Sequence, residues 1–164
     1  MNVQLRTGYR PGLIGEVVRL HGHYYSRYQG LGLEFESQVA REMGEFIPRL
    51  ANPKNGIWYV DIQNACVGSI SIDGEAMGEK HGKLRWFILD ARYQGRGIGR
   101  QLLTAALDHC DRFEFNQVTL FTFAGLDAAK KLYLSAGFVL EETWSSNRWD
   151  RQLMEQKYVR QRQE

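Results

Sequence analysis

The feature that most constrains this chain is the run "ARYQGRGIGRQLL" at 91–103, where Gly95, Gly97 and Gly99 alternate with other residues and Arg96 and Arg100 lie among them. It joins an apolar, strand-like run, "LRWFIL" at 84–89, to a helically spaced stripe of Ile98, Leu102, Ala106, Cys110 and Phe113. A helix N-terminus carries several unpaired N–H groups and about half a unit of positive charge. Glycines just before it remove the side chains that would keep an anion from those donors. Glycine also weakens a helix start. Two readings follow: a tight strand-to-helix turn, or a cradle for a bound anion. Spacing excludes two well-known cradles, because the dinucleotide fingerprint needs G-x-G-x-x-G and a later acidic residue, and the nucleotide P-loop ends in Gly-Lys-Ser/Thr. What remains is Q-x-x-G-x-G, from Gln94 to Gly99.

The 164 residues suit one domain, 1–164, with a well-buried core. Hydrophobic residues at 43% and charged residues at 24% are ordinary for a soluble globular chain, and no apolar run is long enough to span a membrane. The formal charge of +2 is dispersed, so neither nucleic acid nor a membrane is expected as a partner. The first residues, "MNVQLRTGYRPG", lack the apolar core of a secretory signal, and Cys66 and Cys110 form no disulfide framework; a cytoplasmic location is the expectation.

Periodicity supplies the elements. Val3 to Arg6 read as a first strand, and Pro11 opens a helix carrying Leu13, Val17, Leu20 and Tyr24 on one face. Phe35, Val39, Met43, Phe46, Ile47 and Leu50 mark a second helix. "IWYV" (57–60) and "CVGSISI" (66–72) read as a hairpin around "DIQNA", and 73–82 as a polar loop. "LRWFIL" is apolar on both faces, as a central strand would be. After the helix at 98–113 come a strand (118–123), a helix (127–136) capped by Gly137, and two closing strands (138–144 and 152–159). The order β-α-α-β-β-β-α-β-α-β-β predicts an α/β (α+β) fold, a mixed sheet of seven strands with four helices on both faces.

"QGRGIG" at 94–99, preceded by "LRWFIL" and followed by "AKKLYLSAGF" at 129–138, resembles the acetyl-CoA-binding core of the GNAT superfamily of N-acetyltransferases. The resemblance covers most of the chain. More narrowly, "RPGLIGEVVRLHGHYYSRYQGLGLEFESQVARE" is similar to the acetyltransferase half of proteins that fuse a MarR-type regulator to a GNAT domain, and the resemblance implies the catalytic module standing alone as the expectation for this chain. The resemblance implies the GNAT fold, acetyl-CoA as acyl donor, and direct transfer to a primary amine on a small molecule or a protein lysine. It also admits two alternatives, a catalytically weak acyl-CoA-binding sensor and a transferase for another acyl group. Homodimers are common in the family.

It further implies that backbone groups of Phe87 and Leu89 pair with the pantetheine arm. The N–H groups from Gln94 through Gly95, Arg96, Gly97, Ile98, Gly99 and Arg100 would wrap the pyrophosphate. Tyr133, of the "LY" pair, would give a proton to the leaving thiolate, although its spacing with Leu132, Ala129 and Ala136 equally suits a core residue. Leu126 stands where the family often has asparagine, Ala91 where it often has proline, and "LRWFIL" contains no glutamate for a general base. Tyr24, Tyr25, Glu34 and Glu36 are the candidates for the acceptor side, against the plainer reading of a packed helix face and a solvated loop. No metal is expected, since His21 and His23 at i and i+2 point to different helix faces. Cys66 and Cys110 read as inert core residues.

Overall fold

The apolar runs on either side of "DIQNA" pair as expected, but the loop between them is only two residues long. In the computed structural model, which describes residues 3–163, β2 (Gly56–Ile62) and β3 (Ala65–Asp73) meet at Gln63 and Asn64. Both have positive φ (53° and 63°), the geometry that suits a two-residue hairpin turn. Asp61 stays in the strand because Arg10 grips it through two hydrogen bonds of 2.9 and 2.8 Å. The remaining elements are β1 (Leu5–Thr7), α1 (Leu13–Gln29), α2 (Leu33–Phe46), β4 (His81–Leu89), α3 (Ile98–Arg112), β5 (Gln117–Phe123), α4 (Asp127–Ser135), β6 (Val139–Ser146) and β7 (Leu153–Gln161). Pro48 tightens the end of the second helix into a 3₁₀ turn, Ile47–Ala51, where a continuous helix was expected. β4 starts three residues earlier than its apolar run, taking in His81 and Gly82 from the end of the expected 73–82 loop and Lys83 after it.

Among the described residues, seven strands form one sheet in the order β1-β2-β3-β4-β5-β7-β6, with four helices on its two faces, as the α/β expectation has it. Every neighbouring pair is antiparallel except β4 and β5. α1 and α2 bury Leu13, Val17, Val39, Met43 and Phe46 against Ile57, Trp86 and Ile88. On the other face Ile98, Leu102 and Ala106 of α3 pack on Ile70, Val118 and Leu120. Fully burying one such side chain contributes about 1.5–3 kcal/mol, so the two apolar layers hold the sheet between them. Cys66 and Cys110 are buried, and burial pushes both thiols up to about 12, consistent with unreactive core positions.

One buried charge ties the second helix to the sheet. The Asp73 side chain is wholly buried and accepts from Arg49 Nη2 at 2.6 Å and from the N–H groups of Glu75 and Ala76 at 3.0 and 3.1 Å. Burial alone would raise its pKa, but Arg49 and the two amides outweigh it and hold the carboxyl below its ordinary value. A depressed folded-state pKa stabilises above the unfolded value of about 3.9 and loses that contribution as pH falls through the folded value. Asp73→Ala is expected to cost about 3 kcal/mol, at the low end for a buried pair because Arg49 is partly exposed. Thermal melts at neutral pH should show a drop of about 6–12 °C, and the gap between variant and wild type should narrow in strong acid.

Candidate active site

The site begins with a defect in β4. Ser71 pairs with Arg85 and Ser69 with Ile88, so Trp86 and Phe87 together oppose the single residue Ile70, a β-bulge. Trp86 adopts φ 50°, a strained value for a bulky side chain, and its carbonyl accepts from Ser69 Oγ at 3.2 Å. The extra residue resets which way side chains point. Lys83, Arg85, Trp86 and Ile88 face the α1–α2 side, whereas Leu84, Phe87 and Leu89 face α3 and α4.

The same stretch parts from its neighbour. β4 and β5 pair only at His81–Gln117, Gly82–Val118 and Lys83–Thr119, and beyond Lys83 the two strands diverge into a V-shaped cleft. Asp90 N–H donates to Val67 C=O at 2.7 Å, so by strand alternation the backbone groups of Ile88 face β3 and those of Phe87 and Leu89 face the cleft. Leu89 C=O receives only a long contact, 3.5 Å, from the Gln94 side chain.

The glycines serve two purposes. Gly95 and Gly97 have φ of 78° and 82°, and a Cβ on either would meet nothing within 4 Å. Gly99 has ordinary helical φ, but a Cβ there would come within 3.1 Å of Leu132 Cδ1 and 3.6 Å of Phe87 Cζ, so its bareness lets α3 sit close to α4 and β4. Gly97 caps α3 in the left-handed region with no side-chain hydrogen bond. Among the described residues, none of the N–H groups from Gly95 to Arg100 has a protein acceptor, and the first bond of the helix is Gln101 N–H to Gly97 C=O. Gln94 differs, because its amide donates to Ala91 C=O at 3.4 Å; the open run starts one residue later than expected.

A cavity of about 480 Å³ lies over this run and the divergent strand. Phe87, Leu89, Gln94, Gly95, Gly97, Gly99 and Arg100 line it. Arg96 and Ile98 do not. Arg96 stacks its guanidinium over Tyr93 at 5.4 Å, and the Ile98 side chain is wholly buried in the core, so only their backbone amides face the loop. Leu126 does line the cavity, as do Lys131 and Ala129 of α4, which motif reading left aside. Arg100 and Lys131 give it two cationic side chains.

A second cavity of about 560 Å³ opens on the α1–α2 side, and Tyr25, Phe87, Thr122 and Tyr133 line both. Tyr133 is therefore at the junction. Its ring is buried among Phe87, Phe138 and Tyr158, with centroid distances of 5.8–6.0 Å, yet its hydroxyl makes no hydrogen bond to protein among the described residues and is not sealed from the cavities. Burial, then Tyr25 and Tyr24, push this phenol well above its usual value, so it is protonated at any working pH.

The acceptor candidates divide. Tyr25 faces both cavities and Tyr24 the first. Glu34 and Glu36 line neither: α2 buries Phe35, Val39, Met43 and Phe46, Glu34 and Glu36 are exposed, and Glu36 lies over Gly22 of α1. The cavity instead meets Gln38 and Glu42, further along the same helix. His21 lines it too. Its ring is buried and stacked on Tyr25, Nδ1 donates to Val17 C=O at 2.8 Å, and Nε2 has no partner among the described residues. Burial lowers its pKa to about 4, so the imidazole is neutral. His23 is exposed on another face. Among the described residues no three His, Cys, Asp or Glu side chains cluster as metal ligands would, and no helix is long and apolar enough to cross a membrane.

Comparison with solved structures gives the same architecture. An N-acetyltransferase from Staphylococcus aureus Mu50 superposes with a TM-score of 0.80 at 14% identity, over 98% of this chain and 99% of that one. The ribosomal-protein-alanine N-acetyltransferase of Brucella melitensis gives 0.78 at 15% identity, over 97% and 99%. The Salmonella typhimurium protein yncA, solved with its cofactor acetyl-CoA, gives 0.75 at 14% identity, over 100% and 96%. No curated protein sequence matches. The model of the acetyltransferase (GNAT) family matches residues 19–138, which run from within the first helix through the splayed strands and the glycine loop to beyond Tyr133. With most of its length inside that match, the chain belongs to the GNAT family of acetyltransferases.

Proposed function

We propose that this protein transfers an acetyl group from acetyl-CoA to a primary amine by direct attack within a ternary complex. The observation that carries the proposal is the meeting of two cavities at Tyr133, one floored by unpaired amides and the other lined by polar and aromatic side chains. The pyrophosphate would lie on the N–H groups from Gly95 to Arg100, near Arg100 and Lys131. The pantetheine arm would take the place of a strand beside Phe87 and Leu89, which sets the thioester at the junction. On the same reading the chain corresponds to the acetyltransferase half of the regulator fusions that its first helices resemble.

The amine nitrogen attacks the thioester carbonyl carbon, and the carbon–sulfur bond then breaks. His21 Nε2 takes the proton released from nitrogen, and Tyr133 gives its proton to the departing sulfur. The two carboxylates in the acceptor cavity are less available as bases, since Glu42 is hydrogen-bonded by Arg85 and Gln38, and Glu155 by Arg148. A buried imidazole of low basicity suffices, because a nitrogen bonded to the former carbonyl carbon is far more acidic than a free ammonium.

Release of CoA thiol that requires both acetyl-CoA and an amine tests the reaction and separates it from simple acyl-CoA binding. Acetyl-CoA at a hundred times its dissociation constant should stabilise the fold by about 2.7 kcal/mol. His21→Asn is expected to lower kcat by about a hundredfold with the KM for acetyl-CoA unchanged. In the wild type the base stays unprotonated down to the vicinity of pH 4, so the acid limb of the rate profile should follow ionisation of the amine. A variant with full turnover would remove His21 from the mechanism.

A further inference from the structure

The acceptor cavity holds a charge that the transfer step does not use. Its two carboxylates are each paired with an arginine, Glu42 with Arg85 and Glu155 with Arg148. The third cation, Lys83, makes no salt bridge and no side-chain hydrogen bond among the described residues, and its ammonium sits 5.5 Å from the centroid of the Phe121 ring. Burial, with Arg85 adding to it, holds that ammonium below the ordinary lysine value, as expected where water is partly excluded. An unpaired cation in a partly dry cavity is a binding opportunity for an anion.

Its place in the fold fixes where the anion would be. Lys83 is the last β4 residue paired with β5, at the vertex of the V, whereas Phe87 and Tyr133 stand where the two cavities meet. Four residues of strand, with one taken up in the bulge, separate them by roughly 10 Å, of which the lysine side chain spans several. Trp86 and Trp144 are among the apolar walls of the same cavity. We infer that the acceptor is a small amine carrying a carboxylate or similar oxyanion at its far end, the anion meeting Lys83 at the vertex while the amine reaches the thioester beside Tyr133. This rests on the acetyltransferase reading above. A polycationic acceptor would set like charge against Lys83, the cation of the cavity that has no carboxylate partner among the described residues, which disfavours it.

The test uses the whole chain and its Lys83→Gln and Lys83→Arg variants, each first melted with acetyl-CoA. Short ω-amino acids are then compared as acceptors with their methyl esters and with diamines of matching length. The acids should be acetylated with kcat/KM at least about tenfold above the esters and diamines. Lys83→Gln should raise KM for the acids about tenfold and erase the preference, with KM for acetyl-CoA unchanged, and Lys83→Arg should restore most of it. Esters or diamines as good as the acids, a preference that survives Lys83→Gln, or an acetyl-CoA-binding protein that acetylates none of the acids would each overturn the inference. If the wild type shows no acetyl-CoA shift, the acetyltransferase reading itself fails and this inference with it.

Discussion

Tyr133→Phe is expected to lower kcat by about a hundredfold or more while leaving the protein as stable as the wild type, or slightly more so. The two halves of that expectation come from one side chain. The ring packs against Phe87, Phe138 and Tyr158, and phenylalanine keeps those contacts. The hydroxyl has no protein partner among the described residues, so its removal breaks nothing in the resting fold. A residue that served only the core would therefore be silent in both measurements. A proton donor at the junction of the cavities would be silent in the melt and conspicuous in turnover. The pH profile adds an independent readout. Burial raises the phenol's pKa above the ordinary value of about 10, so the donor form persists into alkaline solution and activity should not decline through ionisation of this group near pH 10. Turnover within a few-fold of wild type, in a variant that still binds acetyl-CoA, would leave Tyr133 as packing alone.

The parts of this site that could be read from sequence are those set by local backbone chemistry. Gly95 and Gly97 hold positive φ, and a chain that needs such values says so by its residue types. Tyr133 was legible through its place in "AKKLYLSAGF". The bulge at Trp86 was not. Nothing in "LRWFIL" marks a residue with φ 50°, because the bulge is imposed by pairing with Ser69 and Ser71 fifteen residues or more away. Once present, it puts Arg85 and Trp86 on the same face, an arrangement that strict alternation forbids. The acceptor side is only partly legible for a related reason. Glu36 and Glu42 stand three residues on either side of Val39, so the helical period puts both at the edges of the buried stripe; which edge meets the cavity is set by how α2 packs on the sheet, and it is the edge with Gln38 and Glu42. Spacing shows His21 only as a histidine with no second metal ligand on its helix face; which ring nitrogen keeps its lone pair depends on Val17 C=O accepting from Nδ1, a feature of the folded helix.

The glycine loop yields the sharpest prediction about the cofactor. Valine at position 97 should abolish the stabilisation by acetyl-CoA, with apparent affinity falling about a hundredfold or more. The substitution meets no protein atom, since a Cβ there has nothing within 4 Å; what it enters is the cavity that the residue lines. It also forces a β-branched residue to φ 82°, which costs the fold roughly 1–2 kcal/mol and about 2–8 °C of melting temperature. That strain could by itself be mistaken for the cause of lost binding, so Gly78→Val supplies the control. Gly78 has φ 98°, equally open surroundings, and a position in the loop between β3 and β4 away from both cavities. Both variants should melt earlier by similar amounts without ligand. Only Gly78→Val should regain stability when acetyl-CoA is added. If Gly97→Val also regains it in full, the diphosphate does not rest on these amides, and the glycines are there for the turn alone.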